Sequence, residues 1–73
     1  MKRNMYDYII SYTYEKDGYL GWCTGMSGIS RVRKINNFDE LNSARDFIQN
    51  DIEGAKNLAI QNIILLGRNK HEV

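Results

Sequence analysis

The stretch Tyr6-Asp7-Tyr8-Ile9-Ile10-Ser11-Tyr12-Thr13-Tyr14 decides the fold. Large residues stand at 6, 8, 10, 12 and 14, with Asp7, Ser11 and Thr13 between them. Alternation of aromatic and β-branched residues with period two is the mark of a strand with two unlike faces. Asp17-Gly18 follows as a hairpin turn, since Gly accepts the positive φ that tight turns need. The return strand is predicted from Leu20 to about Ile35, with a bulge or bend near residues 25–28, where Gly25 and Gly28 interrupt it. Asn37 is placed to cap a helix, and Glu40 takes the capping-box position three residues later. Phe38, Leu41, Ala44, Ile48, Ile52, Ala55 and Leu58 then recur every three or four residues, as in an amphipathic helix. Gly54 weakens such a helix by up to ~1 kcal/mol, yet the stripe runs past it, so the helix is predicted to reach about Asn57. A last strand, Asn62 to Gly67, precedes a polar C-terminal tail over 68–73. The predicted architecture is α+β, with order ββαβ. Its three-stranded antiparallel sheet has order 2-1-3, and one amphipathic helix lies on one face.

Composition narrows the classes further. A chain of 73 residues with 42% hydrophobic content makes one small domain over 1–73. Cys23 is the only cysteine and His71 the only histidine, which excludes an intramolecular disulfide and a Cys/His zinc set. No cofactor is expected. The longest apolar run, Ile63 to Leu66, falls far short of the ~20 residues of a membrane span. Met1 to Asp7 does not read as a secretory leader, and a lone free thiol fits the reducing cytoplasm. Ten Lys+Arg against nine Asp+Glu give a net charge of +1, which excludes a grossly basic nucleic-acid binder.

One helix covers one face of a three-stranded sheet, and the other face should then be polar. Here it is not: Ile64 and Leu66 point away from Ile63 and Leu65, and Ile9 lies opposite the tyrosines. The hairpin register decides the rest. A two-residue turn pairs Tyr12 with Cys23 and puts Leu20, Trp22 and Met26 opposite the tyrosines; a three-residue loop puts Trp22 and Met26 beside them. The first is favoured, because Asp-Gly is the stronger turn signal. Scattered surface apolar residues are ordinary, but a contiguous patch points to a partner chain; either a second copy or another protein would cover it, and a homodimer that also binds a host protein is expected. Ile9, Leu20, Trp22 and Met26 are the candidate contact residues.

Charge is unevenly spread on this topology. Lys2 and Arg3 precede strand one, Arg31, Arg33 and Lys34 end strand two, and Arg68 and Lys70 follow strand three. These cations fall at one end of the sheet, near the positive end of the helix dipole. The helix region carries Asp39, Glu40, Asp46, Asp51 and Glu53 against Arg45 and Lys56. A basic end can bind nucleic-acid phosphates with the tyrosines as a stacking platform. An acidic helix face, with Asp46, Asp51 and Glu53, can instead dock on a basic protein surface. The simpler account is solvation of the ends of elements. No catalytic set emerges: Cys23 is expected mid-strand as a small core residue, away from His71 in the tail. Gly25-Met26-Ser27-Gly28 lacks nucleophile-elbow spacing. No enzyme is expected.

The Ile9-Ile10-Ser11-Tyr12 strand, the return segment Gly21-Trp22-Cys23-Thr24-Gly25 and the final Asn62-Ile63-Ile64-Leu65-Leu66 resemble those of small phage- and prophage-encoded ββαβ proteins of unassigned function. Thr24-Gly25 stands where glycine-asparagine is commoner in that group. The resemblance covers most of residues 6–67 and implies a setting rather than a chemistry. It suggests an accessory protein that binds and inhibits a host protein in the bacterial cytoplasm, for example an anti-CRISPR or other anti-defence inhibitor. The alternative is a nucleic-acid-binding accessory protein using the basic end.

Overall fold

The computed structural model describes residues 1–72. Strand β1 (Lys2–Lys16), strand β2 (Cys23–Arg31), helix α1 (Phe38–Asp51) and strand β3 (Ala55–Glu72) follow in that order. The sheet is antiparallel, in order β2-β1-β3, with β1 at its centre. The expected ββαβ, α+β architecture is therefore present, and three element boundaries differ from expectation.

The first difference is the hairpin. β1 and β2 are joined by a six-residue loop over 17–22, and Tyr12 pairs with Gly25 and Tyr14 with Cys23. That register is displaced by two residues from the expected Tyr12–Cys23 pairing. Packing selects it: a Cβ on Gly25 would stand 2.6 Å from the Tyr12 ring, so only glycine lets that ring lie across β2. The ring's hydroxyl then shares a 2.9 Å hydrogen bond with Ser27. A shift of two keeps the side-chain parity, so Met26, opposite Ser11, still faces away from the tyrosines. Leu20 and Trp22, expected on the sheet, lie instead in the loop. Leu20 is fully exposed there and Trp22 is 60% exposed.

The second difference is the helix end. Asn37 caps α1 as expected, its side chain accepting the Glu40 N–H at 2.9 Å. The helix stops at Asp51, however, because Ile52 is extended and Gly54 takes φ +78°, which only glycine adopts freely. Ile52, Ala55 and Leu58 continue the helical spacing by coincidence. Ala55 and Leu58 are strand residues, and the Leu58 N–H donates back to Gln49 Oε1 at 2.9 Å. Glu53, expected on the helix, sits in this turn, and Lys56 lies on β3, 3.3 Å from Asp17.

The third difference is β3 itself, which starts before Asn62 and runs through the expected tail to Glu72. Its outer half pairs with the start of β1, Asn4 opposite Lys70 and Lys2 opposite Glu72. The bulge between Asp7 and Tyr8 leaves Leu66 as an extra residue between Leu65 and Gly67. The long strands stretch the molecule to 43 × 23 × 18 Å.

Helix α1 covers the tyrosine face. Tyr8, Ile10, Tyr12, Ile29 and Leu58 on the sheet are buried with Ala44 and Ile48 of the helix. Tyr8 is held by its hydroxyl as well, which accepts the Ile35 N–H at 2.7 Å and fixes the chain leading into α1.

Candidate functional site

The face that α1 leaves open is built from the odd-numbered residues of β1. Directly paired residues share a face, so the register defines this surface. Ile9 lies between Gly28 and Ile64, Ser11 between Met26 and Asn62, and Asp7 between Ser30 and Gly67. Met26 is 68% exposed, Ile64 50% and Leu66 60%, and Ile9 is half-buried among its neighbours. Gly28 adds no side chain, and a Cβ there would meet only the Tyr8 carbonyl oxygen, at 3.9 Å. The centre of the face is therefore a shallow apolar strip running from Met26 through Ile9 to Ile64, with the bulge residue Leu66 exposed next along β3.

Polar groups bound the strip, and at its two ends they are paired with one another. Gln61 donates to Thr13 Oγ1 at 3.2 Å on one side. On the other, Asp7 gathers groups from both neighbouring strands. Ser30 Oγ donates to its Oδ1 at 2.6 Å, Asn69 Nδ2 donates to its Oδ2 at 2.8 Å, and His71 Nε2 lies 2.8 Å from Oδ1. These bonds, Ser30 first and Asn69 next, hold the Asp7 carboxyl below the ordinary aspartate range, against a smaller desolvation effect; His71 adds to the lowering. No residue of this cluster except His71 was a candidate for anything in the sequence. The cluster exists only once both registers are known, because Asp7 and Asn69 are 62 positions apart.

The other candidates are placed as follows. Ile9 and Met26 lie on the open face, while Leu20 and Trp22 project from the loop at one end of the molecule. Asp46 and Asp51 are exposed on α1, and Asp46 is engaged by Arg45 at 2.9 Å. The cations do gather at one end. Arg31 and Arg68 both pair with Tyr6, and Lys2, Arg3 and Lys70 lie further out along the β1–β3 ribbon. Arg33 and Lys34 are exposed in the segment between β2 and α1. The cations do not share one face: the register puts Arg3 on the open side and Lys2, Arg31, Arg68 and Lys70 on the helix side. Arg68 and Arg31 also lie over the Tyr6 and Phe47 rings, at 5.6 and 5.7 Å. Of the tyrosines expected to form a stacking platform, Tyr8 and Tyr12 are buried beneath α1, Tyr6 and Tyr14 are half-buried, and Tyr19 is exposed in the loop at the far end.

Cys23 and His71 are far apart. Cys23 pairs with Tyr14 and His71 with Arg3, which separates them by about 36 Å along β1 at ~3.3 Å per residue. Among the described residues no group of three His, Cys, Asp or Glu side chains is placed to hold a metal ion. Among the same residues no helix is long and apolar enough to cross a membrane. Compared with known proteins, the chain matches no family model, no curated protein and no solved structure.

Proposed function

We propose that this protein is a non-catalytic binding module whose open sheet face seats on a partner protein. One observation carries the reading: Met26, Ile9 and Ile64 are neighbouring apolar residues on the face opposite the helix, with Met26 and Ile64 exposed. Covering such a strip returns roughly 25 cal/mol for each Å² of apolar surface removed from water. The Asp7 cluster at one end of the strip and the Thr13–Gln61 pair at the other are satisfied internally, so a partner need not supply charges to match them.

The resemblance to phage-encoded accessory proteins gives this module a setting, the bacterial cytoplasm. It also suggests a role, inhibition of a host protein by occupying its surface, as an anti-CRISPR or another anti-defence protein does. A homodimer packed sheet on sheet is the competing way to cover the same strip. The nucleic-acid reading keeps its basic end, with the half-buried Tyr6 beside Arg31 and Arg68, but Tyr8 and Tyr12 lie under the helix. The test is affinity capture from a bacterial host lysate with the natural chain and with Ile64→Glu, read by mass spectrometry and sedimentation. The expected result is a protein captured by the natural chain and lost with the variant. Equal capture by both chains, or self-association alone, would remove the reading.

A further inference from the structure

A second surface lies at the outer end of the sheet, independent of the open face. Pairing between β1 and β2 begins only at Tyr6 and Arg31, whereas β1 stays paired with β3 out to Lys2 and Glu72. Over Lys2–Met5 the central strand therefore has a neighbour on one side and an empty strand position on the other. Alternate residues of that segment direct backbone N–H and C=O groups into the vacancy. A groove of about 360 Å³, lined by Met5, Ser30, Arg31, Val32, Arg33 and Glu40, opens where β2 leaves off.

We propose that this position receives an extended acidic peptide segment, added as a strand alongside Lys2–Met5. Two properties of the vacancy select that occupant together. Its backbone row asks for a polypeptide partner, which a phosphate chain cannot supply. Its border is cationic, with Lys2 and Arg3 along the edge and Arg31 and Arg33 at its head. Of the carboxylates beside it, Glu72 lies 3.8 Å from the Met1 ammonium and Asp7 is taken up by Ser30, Asn69 and His71, which leaves Glu40. A second copy of this chain brings the same Lys2 and Arg3 and is repelled, in the way edge strands commonly use cations to refuse self-pairing. An acidic strand meets no such barrier.

The probe is a fluorescein-labelled hexapeptide of alternating glutamate and valine, titrated at low salt and read by anisotropy and by backbone amide shifts. The account expects binding, with the largest shifts at Lys2–Met5. It expects at least a tenfold loss when alternate peptide amides are N-methylated along one edge, and a similar loss with Lys2→Glu/Arg3→Glu. A lysine–valine hexapeptide should not bind. Three results overturn the proposal: unchanged affinity of the N-methylated peptide, which reduces the site to charge alone; binding of oligo(dT) without binding of the acidic peptide; or no binding of the acidic peptide.

Discussion

The two faces of β1 alternate along one strand and have opposite fates. On the covered face Ile10 is fully buried, and the hydroxyls of Tyr8 and Tyr12 each hold a specific partner, the Ile35 N–H and Ser27. On the open face Ile9 looks across Gly28 and Ile64, and the polar residues pair among themselves around Asp7. The contrast separates what holds this protein together from what it presents. Burial under the helix fixes the fold, and the other face is left uncovered.

Two glycines of β2 test the contrast most sharply. Gly25→Ala places a Cβ against the Tyr12 ring and should destabilise by about 1–3 kcal/mol, as overpacking does. Gly28→Ala, three residues away on the open face, should change stability by no more than about 0.5 kcal/mol. Chemical denaturation of both variants reads the difference, and equal losses would mean that the two faces are not energetically distinct. A smaller effect is expected from Tyr8→Phe, which leaves the Ile35 N–H without its acceptor and should cost about 1 kcal/mol in the same measurement.

The smallest effect belongs to the polar border of the open face. Asp7 has its folded-state ionisation lowered by its hydrogen bonds to Ser30 and Asn69 and by His71. Its contribution is thus present above the ordinary aspartate value and is lost as the pH falls below it, through the lowered one. A plot of denaturation midpoint against pH should fall less steeply on that acid side for Asp7→Asn than for the natural chain. Parallel curves would show that the Asp7 cluster does not contribute to stability.

Much of this was legible in the sequence, for physical reasons that also mark where legibility ended. The period-two run of β1 and the Asn37–Glu40 cap are local signals, and both elements start or run where those signals put them. The sheet order follows from chain direction and short connections. The helix end was hidden because Ile52, Ala55 and Leu58 keep helical spacing across a glycine that in fact turns the chain. The outer part of β3 was hidden because Arg68 to Glu72 has no apolar alternation; its order comes from pairing with Lys2 to Tyr6. Of the candidate contact residues, Ile9 and Met26 lie on the open face because parity survived a two-residue error in register. Leu20 and Trp22 fell into the loop because Gly25, not the Asp-Gly pair, sets that register. The Asp7 cluster, assembled across three strands, had no local signal.

The central claim is that the open face, and not the helix, does the binding. Gly28→Glu tests it most directly, because it puts a charge beside Ile9 at a position with room for a side chain. Affinity for the captured partner should fall at least tenfold, while thermal stability and binding by Asp46→Lys stay as in the natural chain. If Gly28→Glu binds as the natural chain does and Asp46→Lys abolishes binding, the contact lies on the acidic helix and the account is contradicted.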